Sequence, residues 1–451
     1  MSSKTFYIEH LGCAKNQVDA EVMAGSMKEE GWRAVTEASE AELIIVNSCG
    51  FVGEAREQSI DVALAIRKKH PHKKILLAGC ISERYGGSLK NLLPEIDGIF
   101  GNRSPSRVAE LVDDVQAGKK PVLLPQDYEP TPQASFSPSP SSVYVKIAEG
   151  CDNRCSYCAI PLIRGSLRSR SIDDIATEVS DLASTGCREV LLIAQDLAAF
   201  GNDRGKDELL ELLIKLLDIS GDFWIRLLYI HPDHFPLDII DLCATDPRLL
   251  PYFDLPFQHV SSRILNRMGR QGSAGSYARL VNTIRERLPD AVIRSTFLLG
   301  FPGEGEGDFQ ELHSFLESTQ LDWVGFFCYS REEGTPAYKM DRLAALTKPH
   351  RERKVRERIE KLKRTQEMIT GARLDRFVGR NLDVIVEDVL DRERYLGRGY
   401  LQAPDVDGSV VISGGNLSPG MVVSCKIYGR AGIDLQARYI STGSISRRGG
   451  S

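Results

Sequence analysis

Apolar and polar positions divide the chain into stretches of different texture. From residue 4 to about 128, short apolar runs alternate with longer amphipathic ones. Lys4–Glu9, Leu43–Asn47 and Lys74–Ala78 read as strands, the last two buried. Val18–Glu30 and Ala55–Lys69 read as helices between them. This alternation predicts an α/β unit over residues 1–128 built on an open parallel sheet. Residues 129–142 break the rhythm with four prolines and five serines in fourteen positions, and read as a linker.

The alternation resumes over 143–372. Candidate strands are Tyr144–Ala148, Glu189–Ala194, Trp224–Tyr229, Tyr252–Pro256, Val292–Leu299 and Trp323–Tyr329. Helical patterns lie between them, and six such units suggest a (βα) barrel, complete or partial. The charged segment Lys348–Arg364 carries Val355, Ile359 and Leu362 at i, i+4 and i+7, and reads as one exposed amphipathic helix. Residues 373–445 change again. Short β-rich runs (Asn381–Val389, Arg398–Leu401, Gly408–Ile412, Met421–Tyr428, Leu435–Ile440) are separated by Gly, Pro and Asp turns, which predicts a small antiparallel β-barrel. Residues 446–451 form a tail.

Composition narrows the class. In 451 residues, 57 basic and 62 acidic side chains leave a net charge of −5, with 42% apolar positions. These are the values of a globular protein. No run of about 18 apolar residues suggests a membrane span. The first residues lack the basic start and apolar run of a secretory signal, so a cytoplasmic location is expected. Small β-barrels often bind nucleic acid, yet Arg376–Ile445 carries eight basic and eight acidic residues, a poor electrostatic footprint for RNA.

The ten cysteines are unevenly spread. In a reducing compartment they remain thiols. Cys187, Cys243, Cys328 and Cys425 sit in apolar surroundings and read as small core residues. Cys151, Cys155 and Cys158 are different: the segment GCDNRCSYC has CxxxCxxC spacing directly after a predicted strand. Three thiolates on one loop suit three irons of a 4Fe–4S cluster and leave the fourth iron open. Zinc is the nearest alternative, but a structural zinc wants four protein ligands and no fourth Cys or His lies close in sequence. The strand context puts the loop at the C-terminal mouth of a barrel, where such folds keep their active sites.

This loop resembles that of the radical S-adenosylmethionine enzymes. Residues 150–170 further resemble the methylthiotransferase branch, with Ile-Pro and Arg-Gly after the cysteines. Leu11-Gly12-Cys13, Asn47-Ser48-Cys49-Gly50-Phe51 and Ala78-Gly79-Cys80 each resemble that branch's first domain, and the C-terminal barrel its TRAM domain. The resemblance implies one 4Fe–4S cluster on Cys151, Cys155 and Cys158, whose open iron binds S-adenosylmethionine. It implies a second on Cys13, Cys49 and Cys80, spaced 36 and 31 residues apart and without a local signature of their own. Tyr157 matches an aromatic position near the adenine. Gln195-Asp196 matches an element contacting the methionine amino group. Gly300-Phe301-Pro302-Gly303-Glu304 matches a turn against adenine, departing from the pattern at Gly305. Arg226 and Arg294 are candidates for further polar contacts to the cofactor, beside an ordinary role in lining the barrel.

Two branches of the family differ in substrate, one acting on a modified adenosine of transfer RNA, the other on an aspartate of the twelfth small-subunit ribosomal protein. Asp254-Leu255-Pro256-Phe257-Gln258-His259 resembles the DxPxQH element of the second, and Ala14-Lys15-Asn16 and Arg294-Ser295-Thr296-Phe297 lean the same way. Asp254, Gln258 and His259 are therefore candidate substrate contacts, with a capping or core hydrogen bond as the plainer alternative for Asp254 and His259. The implied reaction uses two molecules of S-adenosylmethionine, one as methyl donor and one as radical source. The implied partners are the ribosomal protein or subunit, with RNA contact through the ribosome, and an electron donor such as a flavodoxin-type protein. A transfer-RNA methylthiotransferase, a plain radical methylase or sulfur-insertion enzyme, and a non-catalytic iron–sulfur electron carrier remain as other readings.

Overall fold

The computed structural model describes residues 4–126, 141–341, 344–443 and 445. The expected linker lies outside these residues except for Ser141 and Ser142, and the expected tail lies wholly outside them. The first unit is a six-stranded sheet of β1 (Thr5–His10), β2 (Arg33–Ala34), β3 (Leu43–Ser48), β4 (Lys74–Gly79), β5 (Gly98–Phe100) and β6 (Val122–Leu123). Their order is β2-β1-β3-β4-β5-β6, and every pair is parallel. The continuous apolar run on β3 has a simple cause. Leu43 and Ile45 enter the core on one face, Ile44 and Val46 the core on the other.

The second unit is built on β7 (Ser142–Lys146), β10 (Glu189–Ile193), β11 (Trp224–Leu227), β12 (Leu249–Asp254), β13 (Val292–Leu299) and β14 (Trp323–Cys328). A two-stranded ribbon, β8 (Ala148–Glu149) with β9 (Arg168–Ser169), branches off after β7. The parallel order β14-β13-β12-β11-β10-β7 leaves the two edges unpaired, so the barrel is partial. Its outer face packs on helices through Ile225, Leu227, Phe253 and Ile293. The segment read as an exposed helix belongs to a longer one, Ala344–Asp375, that crosses the boundary expected at 372. It is not a free solvated face. Val355, Ile359 and Leu362 are buried in the same outer core, and Arg358 pairs with Glu304 at 2.5 Å and Glu306 at 2.9 Å.

The third unit closes β15 (Asn381–Val389), β16 (Arg394–Arg398), β17 (Val410–Ser413), β18 (Val422–Ala431) and β19 (Asp434–Thr442) into a barrel ordered β15-β16-β17-β19-β18. Four of its pairs are antiparallel. The β17–β19 pair is parallel, which the sequence did not announce. The run Arg398–Leu401 is not a strand: β16 ends at Arg398 and the chain turns, with Gly399 N–H donating to the Gln402 side chain at 3.1 Å.

That turn is a docking element. The inner face of the half-barrel (Leu191, Ile193, Trp224, Tyr252, Trp323) shares one hydrophobic core with the small barrel. Arg226, expected to reach the cofactor, is fully buried in this seam. It pairs with Glu189 at 2.7 Å and donates to the carbonyls of Tyr400 (2.9 Å) and Gly399 (3.1 Å). It is therefore an interdomain tie. The N-terminal unit closes the opposite end. Glu332, just past β14, receives Arg84 at 2.5 Å and Arg56 at 3.0 Å, while Lys146 and Arg164 reach Asp19. No helix among the described residues is long and apolar enough to cross a membrane.

Candidate radical and auxiliary cluster sites

The CxxxCxxC loop leaves the half-barrel beyond β8 and is folded by specific contacts. Gly150 has φ +74°, and a Cβ there would stand 2.0 Å from the Ser166 carbonyl oxygen, so only glycine fits. Cys151 N–H donates to Gly165 O (3.2 Å), Ser156 N–H to Met268 O (2.8 Å) and Cys158 N–H to Cys155 O (3.1 Å). Asn153 donates to Asp196 at 2.7 Å. The three cysteines are half-buried. Burial pushes the Cys151 thiol up to about 11 and Cys158 to about 12, each raised further by charge on neighbouring cysteines of the loop.

The other three cysteines follow β1, β3 and β4, which are neighbours in the sheet, so their C-terminal ends meet at one place. Cys13 precedes the helix Ala14–Glu29, and Cys80 opens the helix Cys80–Leu92. Gly12 and Gly50 allow the close approach: a Cβ on Gly12 would lie 3.4 Å from Cys49 Cβ, and one on Gly50 would strike the Cys80 backbone at 2.7 Å. Cys80 is buried, Cys49 half-buried and Cys13 exposed. Burial pushes Cys80 to about 12.

A buried charged network joins the two sets. Arg164, 2% exposed, donates to Glu149 (3.0 Å), Asp19 (2.8 Å), Asn16 (2.7 Å) and Cys80 Sγ (3.5 Å). Lys146 pairs with Asp19 (2.7 Å) and Glu149 (2.6 Å). Burial acts to raise the Glu149 pKa, but Arg164 and Lys146 overcome it and hold the carboxyl well below the ordinary range. These residues were missed from sequence. The Arg-Gly after the cysteines was noticed there only as part of the resemblance, without a role for Arg164.

The remaining expected site residues separate. Gln195 donates to Glu149 at 2.8 Å, and its Oε1 is buried without a partner. Asp196 instead accepts from Asn153, from Ala198 N–H (3.0 Å) and from His231 N–H (3.1 Å), so it clamps the cysteine loop and does not stand free for a cofactor amino group. Tyr157 packs against the outer core, and burial raises its hydroxyl strongly. Phe301 is buried edge-on against Tyr329, and Gly300 N–H donates to Glu304 at 2.5 Å. The helix after Gly305 starts with Asp308 accepting the Gly305 N–H at 2.8 Å, a cap supplied from within the helix.

Asp254, at the end of β12, is buried, paired with Arg294 at 3.0 Å, and accepts Tyr229 N–H at 3.1 Å. This is the plainer of its two roles. His259 is likewise enclosed, and its Nε2 has no hydrogen-bond partner. It is fully buried, its Nδ1 accepts Val260 and Ser261 N–H at 2.9 and 3.0 Å, and burial lowers it to about 4. Gln258 is half-buried at φ +67°, with its backbone bonded to Thr296 and Leu298. Of the four cysteines read as core, Cys187, Cys243 and Cys425 are buried, but Cys328 is exposed because β14 is an edge strand.

Both sets fit iron–sulfur ligation. Burial favours the thiol form of Cys49, Cys80, Cys151 and Cys158, yet donors are aimed at two of these sulfurs. Ile160 N–H points to Cys158 Sγ (3.4 Å), and the Asn102 amide (3.3 Å) and Arg164 guanidinium point to Cys80 Sγ. Such donors stabilise thiolates, which form when a metal displaces the proton. Among the described residues no three His, Cys, Asp or Glu side chains converge closely enough for a single ion. A cluster binds each thiolate to a different iron and so spreads them wider.

Comparison with known proteins agrees along the chain. Residues 5–101 match an uncharacterized protein family, UPF0004; residues 145–316 match the Radical SAM superfamily; residues 378–440 match the TRAM domain. The chain is 43% identical to the ribosomal protein uS12 methylthiotransferase RimO of Treponema denticola, over 94% of this chain and 98% of that one. It is 40% identical to that of Desulforudis audaxviator, over 96% of each. It is 36% identical to that of Sorangium cellulosum, over 100% of this chain and 94% of the relative. Among solved structures, the radical S-adenosylmethionine methyltransferase TsrM of Kitasatospora setae, with cobalamin and a [4Fe-4S] cluster bound, superimposes with a TM-score of 0.55. It is 16% identical, covers 75% of this chain and 77% of its own, and so is a likeness of fold.

Proposed function

The chain belongs to the ribosomal protein uS12 methylthiotransferase family, and on that premise we propose that it replaces a β-hydrogen of an aspartate in ribosomal protein uS12 with a methylthio group. It is a radical S-adenosylmethionine enzyme that uses S-adenosylmethionine and 4Fe–4S clusters. Cys151, Cys155 and Cys158 would hold one cluster, Cys13, Cys49 and Cys80 the second. When bound, these groups supply the reducing electron, the 5′-deoxyadenosyl radical and the methylthio group.

The chain's own residues prepare the space between. Gln195 Oε1 is the free acceptor for the methionine amino group. Tyr157 and the Gly300–Phe301 turn would lie on the adenine side of the cofactor, and Asp196 holds the loop through Asn153. Arg164 balances negative sulfur at Cys80, and the N-terminal unit covers the barrel mouth against water. Gln258 remains the candidate substrate contact of the DxPxQH element. The observation that carries the reading is the opposition of two three-cysteine sets joined by Arg164 and Glu149. A flavodoxin-type electron donor, RNA contact through the ribosome and a cytoplasmic location complete the proposal.

The test is anaerobic turnover of reconstituted enzyme with S-adenosylmethionine, sulfide and reductant, with ribosomal protein and transfer RNA offered together. Mass spectrometry should find a methylthio increment on an aspartate of the ribosomal protein. An increment on transfer RNA alone would refute the substrate.

A further inference from the structure

We propose that Lys15 is the substrate-binding residue that selects an acidic side chain, by pairing with the carboxylate of the aspartate to be modified; this rests on the substrate reading above. Lys15 lies in the first turn of the helix Ala14–Glu29, two residues after Cys13, where the N-terminal unit overhangs the half-barrel. It is 9% exposed, and buried lysines are nearly always paired. Lys15 is not. Among the described residues its Nζ has no hydrogen bond and no carboxylate within ion-pair distance. Its Nζ lies instead over the Tyr229 ring, 3.3 Å from the centroid.

The surrounding groups explain why it stays unpaired. Burial lowers the pKa of Lys15 and Arg164 adds to this, while Cys13, Asp254 and Glu149 act to raise it. Asp254 is taken by Arg294 and Tyr229 N–H; Glu149 is taken by Arg164, Lys146 and Gln195. Tyr229 is itself held at φ +68°, in the left-handed region that a bulky residue seldom occupies. Its strain sets the ring under the ammonium at the C-terminal end of β11. The Lys15 amino group is thus set on an aromatic face, beside one cysteine set and over the mouth that carries the other. A substrate carbon must come to that place to be reached from both. A carboxylate arriving there supplies the missing counter-charge, and a neutral nucleoside base does not.

The experiment uses reconstituted full-length enzyme and measures binding of ribosomal protein uS12 by calorimetry, independently of turnover. Wild-type enzyme should bind the natural protein about ten- to hundredfold more tightly than a version whose target aspartate is asparagine, the range of a charge-assisted hydrogen bond. Lys15→Met should lose that preference, and Lys15→Arg should keep most of it. Iron content and S-adenosylmethionine affinity should be unchanged in both variants. Equal binding of both substrate forms by the wild type overturns the proposal without needing any variant to fold. So does a full preference surviving in Lys15→Met, or a fall in S-adenosylmethionine affinity in its place, which would assign Lys15 to the cofactor carboxylate. Binding of transfer RNA with none of the ribosomal protein would overturn the substrate reading itself, a result distinct from the other three.

Discussion

Replacing Arg398 by Met should detach the C-terminal barrel from the half-barrel, and the size of the effect follows from one carboxylate. Glu189 is fully buried. It accepts from Arg226 Nε at 2.7 Å, from Ser142 Oγ at 3.0 Å and from Arg398. Burial alone would raise its pKa, but Arg398 and Arg226 overcome this and bring it from 4.5 to about 2. A depressed folded-state value means stability that is present above pH 4.5 and lost as pH falls toward 2. This depression corresponds to about 3 kcal/mol of stability at pH 7 and to less than about half that near pH 3. Mutational breakage of buried ion pairs gives a similar loss, roughly 3–5 kcal/mol. Urea unfolding followed by tryptophan fluorescence is a suitable assay, because Trp224 and Trp323 lie in this seam and Trp323 donates to Leu401 O at 2.7 Å. The Arg398→Met deficit should be about 3 kcal/mol or more at pH 7 and should shrink toward pH 3. Adding Glu189→Gln should restore part of it by removing the stranded charge. A deficit under about 1 kcal/mol, or one independent of pH, would show that the pair does not hold the seam.

Other expectations concern the sulfur sites. Gly150→Ala drives a methyl group into the Ser166 carbonyl at a positive φ, so iron per chain should fall toward that of a single cluster while the protein stays folded; unchanged iron by colorimetric assay would contradict the loop geometry. Cys49→Ala should still release 5′-deoxyadenosine but transfer no methylthio group, and transfer at the wild-type rate would remove Cys49 from the auxiliary set. Cys243→Ala, in the outer core away from both sets, should leave product formation within about twofold of wild type apart from the usual stability loss of a buried truncation.

What the sequence made legible was local. The CxxxCxxC loop and its strand context lie within a few residues of each other, and the continuous apolar run on β3 reports a strand buried on both faces. Position along a strand was not legible. Trp224, Arg226 and Leu228 share a face on or just beyond β11, and nothing in their spacing says that Arg226 lies low against the small barrel while Tyr229 stands at the mouth. Long-range pairings were equally silent. Arg398 and Glu189 are 209 positions apart, and the turn at Gly399 was read as a strand because Tyr400 and Leu401 suit one. Cys13, Cys49 and Cys80 were assembled only through the family resemblance, since their meeting depends on β1, β3 and β4 being adjacent. Lys15 passed unnoticed as a candidate contact because a lysine in the first turn of a helix usually faces water.

The two ends of the half-barrel separate a structural closure from a working one. At the lower end, every side-chain nitrogen of Arg226 and Arg398 has a protein acceptor, and Glu189 is satisfied by them and by Ser142. No ligand is needed there, and none would find a free group among these three. At the upper end, Arg164, Lys146, Glu149 and Asp19 are equally satisfied, but Gln195 Oε1 is buried without a partner and Lys15 Nζ meets the Tyr229 ring in place of an acceptor. A buried polar group without a partner costs about 1–3 kcal/mol, and a charged one more. The fold carries that cost at the mouth, where Gln195 Oε1 is enclosed without a partner. The two open groups differ in chemistry, an amide oxygen that accepts and an ammonium that donates. They call for two different ligand groups, an amino group by the half-barrel strand and a carboxylate under the N-terminal helix. A methionine amino group from the cofactor and an aspartate from the substrate meet those two demands at once.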